Sequence, residues 1–210
     1  MSNFTYEFEN RQECLETYEW DNIWWEHADT VGVPRVLYIG DSISCATRTM
    51  ATSVANERIF FDGFGTSKAL DNTHFADAIR LFAKQQGERQ VILFNNGLHG
   101  WHLNDEDEYA QYYEKMIAFL LSEYSGTPLF LLLTTHVADS ERDARVQARN
   151  RAASSLAQKY GLPVIDLYCI TKEHADLLSP DGVHFVGDGY RLIAEEIVRR
   201  IGESISQQHI

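Results

Sequence analysis

A chain of 210 residues, 44% apolar and 23% charged, is long enough for one domain with a full hydrophobic core and has the composition of an ordinary globular protein. Its 31 acidic residues against 18 basic ones give a formal net charge of −13 and a pI near 4.9. That balance argues against nucleic acid and anionic membrane as main partners, because both attract basic surfaces.

The N-terminal stretch from Met1 to Asn10 is polar and acidic, with no basic or apolar segment of the kind a secretory signal needs, so a cytoplasmic location is expected. The longest apolar run in the chain, Pro128 to Leu133, is strand-sized and too short to span a bilayer. The cysteines, Cys14, Cys45 and Cys169, are odd in number and widely spaced, which suits reduced thiols better than a disulfide framework. No repeat or Pro/Gly/Ser-rich linker interrupts the chain, so residues 1–210 read as one domain, with 1–33 as a helical N-terminal extension packed on it. Within that extension, Asn10 to Asp29 reads as a helix. Its Leu15, Tyr18, Trp20, Ile23, Trp24 and Trp25 are expected to pack on the body.

From Val36 onward, short apolar runs alternate with amphipathic stretches. Strands are expected at Val36–Ile39, Glu57–Phe61, Val91–Phe94, Leu129–Leu133 and Val164–Leu167. Helices are expected at Ile43–Ala55, Ser67–Gln85, Asp105–Glu123, Asp139–Tyr160 and about Gly187–Ser204, the fourth stopped by Gly161. Regular alternation of this kind builds βαβ units. Right-handed crossovers then put helices on both faces, giving a three-layer α/β/α, flavodoxin-like fold with a parallel five-stranded sheet. In such sheets, chemistry gathers where the strands' C-terminal ends open into loops.

Polar residues follow each of those ends. After the first strand, Gly40-Asp41-Ser42-Ile43-Ser44 puts a hydroxyl at a helix N-terminus, where the backbone N–H groups favour negative charge; a plain helix cap has the same pattern. Asp62-Gly63-Phe64-Gly65-Thr66-Ser67 is read as the loop after the second strand, in which Gly65 brings a backbone N–H close to a ligand. After the third come Asn95, Asn96, Gly97, Leu98, His99, Gly100, Trp101 and His102, a cluster of side-chain donors. Thr134, Thr135 and His136 follow the fourth and are read as pocket lining. Near the C-terminus, Asp181-Gly182-Val183-His184 spaces a carboxylate and an imidazole so that a turn sets both on one side, where Asp fixes the His tautomer.

Val36-Leu37-Tyr38-Ile39-Gly40-Asp41-Ser42 resembles the first block of the SGNH/GDSL hydrolase superfamily, and Asp181-Gly182-Val183-His184-Phe185 with Gly189-Tyr190 resembles its last. The likeness runs in order from about Arg35 to Ala194. It implies Ser42 as nucleophile with Asp181 and His184 completing a triad, and Ser42 and Gly65 as oxyanion donors. The third block departs from the family's Gly-x-Asn-Asp: Gly97-Leu98-His99-Gly100 falls there, with His99 in the Asn position, so the side-chain donor is His99, Asn95 or Asn96. The Asn-x-Gly-Leu-His pattern is similar to that of a bacterial subgroup.

By this resemblance the chain is an ester hydrolase that works through an acyl-enzyme and needs no metal or organic cofactor. Its partner is a small-molecule ester, with no nucleic acid or membrane involved. The preferred substrates are small acyl (O-acetyl) esters of carbohydrate or similar polar alcohols, with Trp101, His102 and His136 meeting the polar part. A lysophospholipase or thioesterase for longer chains is the alternative, as is a non-catalytic carbohydrate-binding relative. A flavin- or nucleotide-binding protein should carry a phosphate loop, and neither G-x-x-x-x-G-K-[ST] nor G-x-G-x-x-G is present. Asp105-Glu106-Asp107-Glu108 reads as a solvated first helical turn rather than a metal site.

Overall fold

A computed structural model describes residue 16 and residues 18–207 of the chain. In order, the elements are β1 (Asp21–Trp24), β2 (Arg35–Gly40), α1 (Ser42–Val54), β3 (Phe60–Thr66), α2 (Phe75–Gln86), β4 (Val91–Phe94), α3 (Glu106–Glu123), β5 (Leu129–Leu132), α4 (Ser140–Tyr160), β6 (Val164–Ile165), α5 (Leu167–Glu173), a 3-10 turn at Ala175–Leu177, and α6 (Gly187–Gln207). The sheet order is β1-β3-β2-β4-β5-β6. β1 runs antiparallel to β3, and all other neighbours are parallel. Among the described residues, no helix is long and apolar enough to cross a membrane.

Alternation along each strand divides the interior into two cores. In β2, Leu37 and Ile39 face α2, α3 and α4 through Phe75, Ile79, Phe82, Tyr113, Ile117 and Leu156. Val36 and Tyr38 face α1 and α6 through Ile43, Ala51, Ile193, Ile197 and Ile201. The central strands β2, β4 and β5 are buried on both faces, which is why they read in the sequence as continuous apolar runs. The three-layer architecture is the expected one, with a sixth, antiparallel strand added at one edge.

That sixth strand lies where a helix was expected. Residues 10–15 fall outside the described part, but residues 18–29 are not helical. Asp21–Trp24 instead pairs with the free edge of β3, Ile23 opposite Phe64. The three tryptophans part company here. Trp25 stacks on Phe82 with ring centroids 4.9 Å apart, Trp24 lies beneath the Arg48 guanidinium, and Trp20 meets His99 edge-on. Edge pairing and separate anchors outweigh the helical spacing.

The second strand also begins later and runs further than expected, covering Asp62 to Thr66 as well. Asp62 and two glycines are poor strand formers, yet each has a tertiary reason to be there. Asp62 is fully buried and accepts from Arg35 Nη1 at 2.9 Å, Gln86 Nε2 at 2.8 Å and the Glu26 backbone N–H at 2.9 Å. Gly65 is therefore a strand residue, paired with Gly40 on one side and Asn22 on the other, rather than a loop residue. A Cβ there would sit 2.2 Å from Cys45 Sγ and 3.3 Å from the Asp41 carbonyl oxygen. Its absence lets the start of α1 settle on β3. Gly65→Ala is expected to lower the unfolding free energy by about 1–3 kcal/mol through this overlap, seen as a lower urea midpoint. An unchanged midpoint would mean that the helix start yields without cost.

Candidate active site

The first turn of α1 is set by Asp41. Its Oδ1 accepts the Ile43 N–H at 2.9 Å, and its carbonyl accepts Ser44 Oγ at 2.7 Å and the Cys45 N–H at 3.1 Å. The Ser42 N–H, first in the helix, has no acceptor among the described residues and stands at the positive end of the helix dipole. Gly97 fits against this turn with φ of +61°, and a Cβ on it would fall 1.8 Å from Asp41 Oδ2. Only glycine combines that backbone angle with so close an approach.

Facing Ser42 is the turn from Ser179 to His184. Asp181 Oδ1 accepts the N–H groups of Val183 and His184, each at 2.9 Å, and Ser179 Oγ at 2.8 Å. Asp181 Oδ2 lies 2.7 Å from His184 Nδ1, and His184 Nε2 lies 2.8 Å from Ser42 Oγ. The backbone N–H groups of His184 and Val183, the His184 ring and the Ser179 hydroxyl together hold the Asp181 carboxyl well below the usual carboxylate range. Asp181 is thus ionised throughout the neutral range although it is exposed, and it accepts the Nδ1 proton. That leaves Nε2 as the acceptor for the Ser42 hydroxyl proton. An ordered relay of hydroxyl, imidazole and carboxylate can generate a nucleophilic alkoxide.

Ser42 and His184 border a cavity of about 310 Å³ lined by Ile43, Leu98, His99, Trp101, Thr134, Thr135, Val137, Arg142, Asp181 and Val183. It lies at the C-terminal ends of β2, β4 and β5, where the topology concentrates chemistry. A larger groove, about 770 Å³, runs past Pro34, Arg35 and Gln90 at the opposite strand ends and holds no comparable relay.

The other anticipated residues are distributed differently. Asn95 gives its amide N–H groups to the Leu132 carbonyl at 2.7 Å and Thr134 Oγ1 at 3.1 Å, so they are taken by the strand ends. Asn96 is buried and donates to the Lys68 carbonyl at 2.9 Å. Gly65 lies within the sheet and does not border the cavity. Trp101 does, with the Arg142 and Arg145 guanidinium groups 5.4 and 5.6 Å from its ring centroid. His136 and His102 do not, because each is turned to a carboxylate: His136 Nδ1 is 2.7 Å from Asp143 Oδ1, and His102 Nε2 is 2.8 Å from Asp71 Oδ2. The acidic run at the start of α3 is a helix cap, with Asp105 accepting the N–H groups of Asp107 and Glu108. Among the described residues, no group of three His, Cys, Asp or Glu side chains is placed to hold a metal ion.

Two residues of α4 matter that in the sequence are indistinguishable from the rest of a charged helix. Arg142 reaches the cavity rim, and Arg149 is buried beneath the 97–104 loop. Arg149 donates to the carbonyls of His99 at 2.8 Å and Gly100 at 2.7 Å while lying over the Tyr109 ring. It therefore fixes the loop that carries His99. Arg149→Leu should lower stability by about 2–3 kcal/mol, since charge-assisted bonds are lost and their carbonyls stay buried. A urea titration measures this, and a loss under 0.5 kcal/mol (about the scale of an inert surface change) would show that other contacts hold the loop.

No protein-family model matches the chain, and no curated protein resembles it in sequence. Solved structures do resemble it in shape. A serine-to-alanine mutant of an acetyl esterase with an acetate ion superposes with a TM-score of 0.64 at 16% identity, over 83% of this chain and 99% of that one. A carbohydrate esterase family 3 protein from Talaromyces cellulolyticus gives 0.63 at 17% identity, over 83% and 99%. A member of the lipolytic protein G-D-S-L family from Veillonella parvula gives 0.61 at 15% identity, over 80% and 97%. At such identities the likeness speaks for the backbone: this chain has the three-layer fold of these esterases and of the G-D-S-L protein.

Proposed function

We propose that the protein is a serine ester hydrolase acting through an acyl-enzyme on small acyl esters, O-acetyl esters of carbohydrate or a similar polar alcohol foremost. The observation that carries this reading is the relay of Asp181, His184 and Ser42, with links of 2.7 and 2.8 Å, opening into one cavity. Ser42 Oγ attacks the ester carbonyl as His184 Nε2 takes its proton, and Asp181 stabilises the imidazolium that forms. The Ser42 N–H at the head of α1 and a side chain of the 95–99 loop hold the oxyanion. His184 then protonates the leaving alcohol. Water, activated by the same imidazole, cleaves the acyl-enzyme and restores Ser42.

The size and lining of the cavity support a small substrate. Its volume of about 310 Å³ is at the low end for small-molecule sites. Ile43, Leu98, Val137 and Val183 offer an apolar wall, while Thr134, Thr135, Arg142 and the Trp101 ring border the rest. An acetyl esterase and a carbohydrate esterase sharing this backbone are consistent with that choice.

Assay on p-nitrophenyl esters from acetyl to dodecanoyl tests the reading. Acetyl or butyryl should be fastest, and Ser42→Ala should cut kcat by on the order of 10⁴-fold or more. Best turnover on long chains would favour a lipid or thioester substrate, and equal rates in wild type and Ser42→Ala would place the chemistry elsewhere. Asp181→Asn keeps the shape of the turn but favours the wrong imidazole tautomer, and kcat should drop roughly 10⁴-fold. Wild-type kcat in that variant would mean that Asp181 does not orient the base.

A further inference from the structure

His99 borders the cavity in a setting unlike that of an ordinary amide donor. Its Nδ1 lies 2.9 Å from Glu16 Oε1, and the same oxygen accepts the Gly100 backbone N–H at 3.3 Å. Both side chains are largely shielded, with 17% of His99 and 19% of Glu16 exposed. The Trp20 ring closes over the imidazole edge-on, with centroids 5.9 Å apart. A carboxylate can only accept here, so Nδ1 carries a proton. It follows that Nε2 is an acceptor in the neutral ring and becomes a donor only when the ring is an imidazolium. A neutral His99 could offer an oxyanion only the Nε2 lone pair, which repels it, whereas a protonated one offers a charge-assisted bond about twice as strong as a neutral one.

We propose that His99 acts as an imidazolium and is the side-chain donor to the oxyanion, with Glu16, from the N-terminal segment, as the positioning residue that keeps it protonated and aimed. This rests on the reading of Ser42 as the nucleophile. The charges around the ring favour the protonated state. Burial opposes it, but the Glu16 hydrogen bond and the charges of Asp41, Glu16 and Glu19 outweigh that and hold the His99 pKa above its ordinary value. From α4, the Arg149 guanidinium acts the other way but is directed at the His99 and Gly100 carbonyls, and Arg142 stands at the cavity rim. Lys68, beyond β3, is paired with Asp21. His184 and Asp181 border the same cavity.

The two histidines must then be in opposite states for turnover: His184 neutral to take the serine proton, His99 charged to bind the oxyanion. The rate should fall on the alkaline side as His99 loses its proton. His99 has the raised pKa, so its contribution is complete at lower pH and disappears as pH rises through that value.

The experiment is the pH profile of kcat and kcat/KM on p-nitrophenyl acetate for wild type, Glu16→Gln and His99→Gln, with Ser42→Ala as the chemical blank. Gln can still accept the Nδ1 proton but lacks the charge. Glu16→Gln should therefore move the alkaline limb to lower pH by roughly 1–3 units with KM little changed, and Glu16→Asp should restore part of the shift. His99→Gln should abolish that limb, because its amide is a donor that does not titrate. Imidazole NMR, with His99 assigned by its absence in His99→Gln, should show a charged ring across the plateau of activity. Ser42-dependent turnover with an alkaline limb that neither variant moves, or with His99 neutral at full activity, overturns the proposal and leaves the esterase reading standing. Absence of Ser42-dependent turnover on every ester removes both.

Discussion

The site depends on how tightly the turn between β2 and α1 is packed. Asp41 closes that turn from within, through its side chain to Ile43 and its carbonyl to Ser44 and Cys45. Two other chain segments press on it from outside, and each is glycine at the point of contact, Gly65 from β3 and Gly97 from the loop after β4. Parallel strands spaced about 4.8 Å apart leave no room for side chains where three C-terminal ends crowd one helix start. The result is that Ser42 emerges at a fixed height and angle, with its N–H unclaimed and its hydroxyl aimed into the cavity.

The partner of that hydroxyl is positioned in another way. Asp181 and His184 are on a partly exposed turn that Val183 anchors against Leu98, Val137 and Val146, and the order within the turn comes from hydrogen bonds. One carboxylate oxygen collects Val183 N–H, His184 N–H and Ser179 Oγ, leaving the other for the imidazole. Four donors on one carboxylate keep it charged and fix the ring's tautomer together. The rigid half of the relay is thus built by sterics and the other half by electrostatics.

A third contribution comes from chain regions distant in sequence. Arg149 from α4 grips the carbonyls of the His99 loop from below, and Glu16 and Trp20 cover the His99 ring from above. β1 holds that N-terminal segment in place by pairing with the edge of β3, and the buried Asp62–Arg35 pair ties the intervening chain to the sheet through Glu26. A strand at the periphery of the architecture thus brings Glu16 within reach of His99.

The sequence by itself determined the layered α/β architecture, because strands buried on both faces must be short apolar runs and the helices between them must carry one apolar stripe. It also determined the candidates Ser42, Asp181 and His184, because each is embedded in a local pattern, a strand-to-helix turn or an Asp-x-x-His turn, whose geometry follows from neighbours in the chain. Tertiary structure decided what depends on distant partners. Asp62 belongs to a strand only because Arg35 neutralises it, and the strand needs glycine at position 65 only because Cys45 lies against it. The segment around Trp24 is a strand only because β3 offers a free edge. His136 and His99 look alike in sequence, each a polar residue just past a strand, and their surroundings separate them: one is turned to Asp143 in α4, the other borders the cavity against Glu16. Periodicity and local spacing record contacts within a few residues, while burial of charge, edge pairing and the choice of hydrogen-bond partner are settled only when remote segments meet.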